Sequence, residues 1–279
     1  SMFWIRLRSG IILVVLAVIF LVAGGPWLWG CLTVVSLIGL YELYRVVEIH
    51  HQPLGWMGYT AAVLYSLRLL WVAGADRVPV YFFCLFLILF LAVYVFSFPK
   101  YQTEQVIMAF FGLFYVHVML MYVYLTRMLD GGVYLVWLIF LGSWGRDTCA
   151  YCVGMLFGKH KMAPVLSPKK SVEGAVGGAA GAMILGMIYG AVFAEQIPVE
   201  HAVFGCGIVC LVGAGISQIG DLAASAIKRN HNVKDYGKLI PGHGGILDRF
   251  DSVIFVAPAV YVTIRCVQYG EMYFPALFR

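Results

Sequence analysis

An all-α, polytopic integral membrane protein is the fold class this sequence predicts. Three observations carry it: 62% of the 279 residues are hydrophobic and only 12% charged, the apolar residues come in long runs, and Lys and Arg gather on one side of those runs. A soluble domain is roughly 45–50% apolar and about 25% charged, so water would leave this excess unburied. Runs such as residues 11–23 and 80–96 read as helices crossing a bilayer, which takes about 20 residues each.

Cutting at polar and Gly/Pro punctuation gives nine predicted spans: 10–24, 27–47, 54–74, 79–98, 105–126, 134–157, 174–194, 202–227 and 249–269. The first follows Arg6 and Arg8, and its apolar run gives way to Ala23, Gly24 and Gly25, a pattern that also fits a cleaved leader. Because further apolar segments follow it, it is expected to remain as an anchor. Ser1 ahead of Met2 reads as an added residue. The chain divides into an N-terminal set of helices, 1–130, expected to act as scaffold and dimerisation surface, and a catalytic region, 131–279. The latter holds two long polar connections, 158–173 and 228–248.

Thirteen of the placed cations, among them Lys159, Lys161, Lys169, Lys170, Lys228, Arg229, Lys234, Lys238 and Arg249, fall on the N-terminal side of the membrane. Only Arg77, Arg127 and Arg279 fall on the other. Positive charge marks the cytoplasmic face, which places the N-terminus and both long connections in the cytoplasm of a bacterial-type inner membrane. The net charge of +5 is thus local, and Asp221, Asp235, Asp248 and Asp251 are mixed into it. Headgroup contact alone explains such mixed clusters poorly, and without an aromatic-basic platform no nucleic acid partner is expected. The seven cysteines give no disulfide framework and read as small buried hydrophobes. Cys149 and Cys152 form a CxxC, but no second pair completes a zinc site.

Chemistry concentrates between residues 220 and 251. On a helix Asp221, Ser225 and Lys228 share a face, and Asp248 and Asp251 share another at the start of the last span. Carboxylates at helix ends can gather a divalent cation. Mg²⁺ is a hard ion that takes carboxylate and phosphate oxygens, and at a triphosphate it neutralises charge. Lys228, Arg229, Lys234 and Lys238 can hold phosphates. The run Pro241-Gly242-His243-Gly244-Gly245 supplies a tight turn beside a helix N-terminus, a place for an anion. Asp248 and Asp251 would also be favourable there as plain helix-end charges, and His243 fits either a base or a turn residue. Asp221, deep among Ile, Gly, Leu and Ala, is harder to explain without function.

A second group lies upstream. Asp147 stands in a span beside Arg146, where an ion pair is a further reading. Ser167, Lys169, Lys170, Ser171 and Glu173 follow, with Ser171 the expected N-cap of the next helix and Glu173 in its first turn. Capping and surface charge alone are an open alternative for this group.

The pattern Ser225-x2-Lys228-Arg229-x4-Lys234-Asp235-x-Gly237-x2-Ile240-Pro241-x-His243-Gly244-Gly245-Ile246-x-Asp248-Arg249-Phe250-Asp251 resembles the signature of the phosphatidate cytidylyltransferase family. Residues 167–174 resemble that family's second landmark. The resemblance implies a homodimeric enzyme with a cytoplasm-facing polar cavity open to lipid. It implies Mg²⁺, with a second, monovalent cation such as K⁺, and metal-binding roles for Asp221 and Asp248. Ala224, Ser171 and Val172 depart from the usual acid, Thr and Trp. Ala224 leaves an auxiliary carboxylate role without a residue.

The expected reaction is attack of phosphatidic acid on the α-phosphorus of CTP, giving CDP-diacylglycerol and pyrophosphate. Asp221, Asp248, Lys228, Asp251 and Asp147 are its candidate catalytic residues. Ser167, Lys169, Lys170, Ser171, Ser225, Arg229, Lys234, His243, Gly244, Gly245 and Arg249 are candidate substrate contacts. Two alternatives are a CTP-dependent lipid kinase and a transporter using Asp147, Asp221, Glu42 and Arg68.

Overall fold

Apolar runs fold as helices in a bilayer because no water is available to the backbone, so each N–H and C=O must pair within its own segment. The computed structural model describes residues 2–71, 80–240 and 244–273. The helices are α1 (Met2–Ala23), α2 (Gly25–Val46), α3 (Pro53–Trp71), α4 (Val80–Phe96), α5 (Thr103–Gly112), α6 (Tyr122–Arg127), α7 (Gly132–Leu135), α8 (Trp137–Phe140), α9 (Arg146–Phe157), α10 (Val172–Val192), α11 (Ala202–Asn230) and α12 (Leu247–Tyr273). π-helical turns at Leu113–Val118 and Leu141–Gly145 join α5 towards α6 and α8 to α9. Helix stands at every predicted span. Among the described residues five stretches are long and apolar enough to cross a membrane: Gly25–Val46, Thr103–Arg127, Val172–Val192, Ala202–Asn230 and Leu247–Tyr269. Residues Arg8–Ala23 and Val80–Phe96 are shorter apolar helices. The chain is an all-α polytopic membrane protein.

Two expectations change. The predicted span 134–157 is broken into α7, α8, a π turn and α9. Glycines at 142 and 145 loosen the helix there, and Ser143 Oγ bonds back to the Ile139 carbonyl at 2.8 Å, as is common where a helix widens. The connection 158–173 is a hairpin, β1 (Lys161–Ala163) and β2 (Ser167–Ser171), antiparallel with Lys161 opposite Ser171 and Ala163 opposite Ser167.

The chain forms two compact units, residues 1–124 with 230–250, and residues 125–229 with 251–279. In the first, helices of similar hydrophobicity gain little from lipid exclusion, so polar ties hold them together. The π turn carries buried His117, whose Nδ1 meets Ser36 Oγ of α2 at 2.7 Å and whose Nε2 meets Ser66 Oγ of α3 at 2.9 Å. Thr33 Oγ1 extends the network to Ser66 Oγ at 3.1 Å.

In the second unit small residues do the packing. Gly174, Gly178, Ala182, Gly186 and Gly190 form the buried stripe of α10. A methyl at Gly178 would sit 2.8 Å from Ala150 Cβ of α9, and one at Gly186 2.6 Å from the Cys206 carbonyl of α11. Close backbone approach between membrane helices requires such residues. Gly178→Val is therefore expected to destabilise the protein by about 1–3 kcal/mol, seen as a lowered unfolding temperature in detergent. Val176→Leu, on the exposed face of α10, is expected to change stability by less than about 0.5 kcal/mol.

Candidate functional site

A guanidinium buried in an apolar span needs anionic partners, and Arg146 has two. It opens α9, its side chain is 3% exposed, and its Nη1 donates to Asp147 Oδ1 at 2.5 Å and to Asp221 Oδ2 of α11 at 2.9 Å. Lys170 Nζ, on β2, donates to the same Asp221 oxygen at 2.7 Å. Two acids and two cations thus tie α9, β2 and α11 together. Each offsets part of the desolvation cost the others would bear alone.

These side chains line a cavity of about 570 Å³, with Ser167, Lys169, Ser171 and Gln218 beside them and Tyr151 and Met155 on its apolar wall. Ser171 Oγ caps α10 by accepting from the Gly174 amide at 3.1 Å. The same oxygen would lie 2.8 Å from a methyl on Gly158, so glycine there lets helix and hairpin close up. Glu173, in the first turn of α10, accepts from the amides of Lys159 and His160 at 3.1 and 3.2 Å and pairs with His160 Nδ1 at 2.6 Å. It fastens the start of the hairpin that carries both lysines.

The donor set suits a polyanion with a hard cation. Lys169, Lys170 and Arg146 supply positive charge. Asp221 Oδ1 and Asp147 Oδ2 make no hydrogen bond among the described residues, and Mg²⁺ needs only one or two carboxylates when substrate phosphates complete its shell. Among the described residues no group of three or more His, Cys, Asp or Glu side chains forms a ready metal cage.

In the first unit, residues 236–237 and 245–247 turn their amides to two carboxylates. Asp248 Oδ2 accepts from the amides of Tyr236, Gly237 and Gly245 at 2.8, 3.4 and 2.9 Å. Glu42 of α2, 4% exposed, accepts from the amides of Ile246 and Leu247 at 3.1 and 2.8 Å. Arg45 Nη2 donates to the Tyr236 carbonyl at 2.5 Å. Ile240 and Gly244 exchange two backbone bonds of 2.8 and 3.2 Å, and Gly244 adopts φ +90°, a conformation that favours glycine. Pro241, Gly242 and His243 lie outside the described residues.

The sequence profile of the cytidylyltransferase family matches residues 4–267. The chain belongs to the cytidylyltransferase family. Curated relatives named phosphatidate cytidylyltransferase include one from Staphylococcus saprophyticus, 39% identical over 150 residues. Others come from Staphylococcus epidermidis, 38% identical over 150 residues, and Staphylococcus aureus, 36% identical over 155 residues. Each alignment takes in 54% of this chain and 55% of the relative, so the chain spans about half the length of the curated relatives it matches.

In this member of the cytidylyltransferase family, Asp147, Ser167, Lys169, Lys170, Ser171 and Asp221 share one cavity. Asp248, Gly244 and Gly245 belong to the loop of the first unit. Ser225, Lys228 and Arg229 occupy the last turns of α11, and Lys234 is exposed beyond them; Arg249 and Asp251 stand in the first turns of α12. Asp251 Oδ1 accepts from the Ser252 amide at 2.7 Å. The anion expected at the N-terminus of the last helix is internal: Glu42 occupies the amides of Ile246 and Leu247. Both oxygens of Glu42 are engaged by these amides.

Sequence reasoning missed three residues. Arg146 reaches Asp221 as well as its neighbour. Arg45 holds the loop. Gln218, one turn before Asp221, lines the cavity with its amide nitrogen buried and without a partner among the described residues. An arginine inside an apolar span was the available signal for the first; nothing local marks the other two.

Proposed function

We propose that this chain is a phosphatidate cytidylyltransferase, which transfers CMP from CTP to phosphatidic acid. The observation that carries the reading is the cavity in which Arg146, Lys169 and Lys170 surround Asp221 and Asp147, in a chain whose family profile runs through it. An oxygen of the lipid phosphate forms a bond to the α-phosphorus of CTP, and the bond to the β-phosphate oxygen breaks to release pyrophosphate. No general base is needed, because the lipid phosphate is already anionic near neutral pH. Lys169 and Lys170 hold phosphate oxygens, with Lys228, Arg229, Lys234 and Arg249 as further contacts. Lys170, paired with Asp221, can exchange that carboxylate for phosphate.

Asp221 and Asp248 are the proposed Mg²⁺ ligands, supported by Asp147 and Asp251, with a monovalent cation such as K⁺ as a second ion. Bound Mg²⁺ would supply neutralisation of the triphosphate charge. The active form is proposed to be a homodimer, with the site on the cytoplasmic face, where positive residues collect.

The test is a product assay in detergent with phosphatidic acid, Mg²⁺ and each nucleoside triphosphate. CTP is expected to give one pyrophosphate per CDP-lipid, EDTA to stop turnover and added MgCl₂ to restore it. Release of CDP with phosphate passed to lipid would overturn the reading in favour of a kinase.

A further inference from the structure

We infer that Glu42 is a positioning residue for this reaction, setting the geometry of the loop that presents Asp248. The inference rests on the proposed metal-binding role of Asp248. Five backbone amides at the two ends of the loop point at two carboxylates. Asp248 takes those of 236, 237 and 245, and Glu42 takes those of 246 and 247. Asp248 can therefore hold one orientation only while the amides it accepts from keep their place, and Glu42 fixes the two residues between Gly245 and Asp248.

A carboxylate suits this place because both of its oxygens are acceptors, matching two adjacent N–H donors. Its charge also lies at a helix N-terminus, where negative charge is favoured. The surroundings are cut to fit it. A methyl on Gly245 would sit 2.5 Å from Glu42 Oε2, and one on Gly237 would overlap the same carboxylate. Three residues on, Arg45 holds the Tyr236 carbonyl, so residue 236 is gripped at its carbonyl by α2 and at its amide by Asp248. The packing of α2 itself depends on other residues, Leu40, Leu43 and Tyr44, all 0% exposed. Loss of the carboxylate therefore disturbs the loop more than the helix.

Glu42→Gln keeps the shape but turns an NH₂ donor against one amide. Gly245→Ala keeps the charge but crowds it. Each is expected to lower kcat about 10- to 100-fold, the scale of a misplaced catalytic group. The KM for CTP is expected to stay within about twofold and the unfolding temperature within a few degrees. The double variant is expected to be no worse than the weaker single, since both act on one contact. Hydrogen exchange at the amides of Gly245, Ile246 and Leu247 is expected to quicken in each.

Wild-type kcat in Glu42→Gln overturns the inference. So does a fall in kcat that tracks the unfolding temperature and adds up in the double variant. Should wild-type protein make no CDP-lipid, the proposed activity fails instead, and unchanged exchange at these amides in Glu42→Gln would then overturn the role of Glu42 by itself.

Discussion

Asp221→Asn is expected to lower CTP-dependent CDP-lipid formation by about 10²-fold or more, the usual scale for removing a charge-stabilising group, while leaving a folded protein. The substitution keeps an oxygen that can accept from Arg146 and Lys170, so the network of α9, β2 and α11 retains its connections. What disappears is the negative charge. Without it the cavity loses its best hard ligand, and Lys170 loses the anion that holds it in place before a phosphate arrives. Radiolabelled CTP incorporation and an unfolding curve in the same detergent check both halves. Near-normal turnover in this variant would remove Asp221 from the proposed mechanism, and a collapsed unfolding temperature would make it a structural residue.

The other large effect is expected at Arg146, and it is one of stability. Arg146→Met leaves Asp147 and Asp221 near one another without the buried guanidinium between them, and breaking a buried pair on one side costs about 3–5 kcal/mol. Against a total stability of about 5–15 kcal/mol, that is enough to reduce the yield of monodisperse protein sharply. Arg146→Lys keeps the charge but loses the geometry of the fork and is expected to fall between. Adding Asp147→Asn to Arg146→Met is expected to recover part of the loss, because one unpaired charge is removed with it. Unfolding temperatures of the four proteins settle the order.

The helices were legible because lipid imposes length and hydrophobicity directly on the sequence. The N-cap at Ser171 and the Arg146–Asp147 pair were legible because they are local. The hairpin at 161–171 was not: its strands are short, polar and carry Pro168, a residue confined to edge strands, so no alternation announced them. The break at Leu141–Gly145 was hidden for a related reason, since hydropathy does not distinguish an α turn from a π turn. The small residues of α10 were visible as composition, but which neighbour they face is decided by packing. Glu42 illustrates the limit best. Its acid in a span asked for a partner, and its partners are backbone amides, which leave no trace in residue type beyond the glycines at 237 and 245.

The anchoring of the loop by α2 also has a consequence for biosynthesis. Glu42 is 204 and 205 residues ahead of the amides it accepts from. At translation rates of roughly 5–20 residues per second, the ribosome reaches those amides about 10 to 40 s after α2 has been made. For that interval a nascent helix carries an acid whose destined partners do not yet exist, so it must remain hydrated at the bilayer surface or take up a proton. The loop can set only after that interval, and α2 waits on residues made well after it.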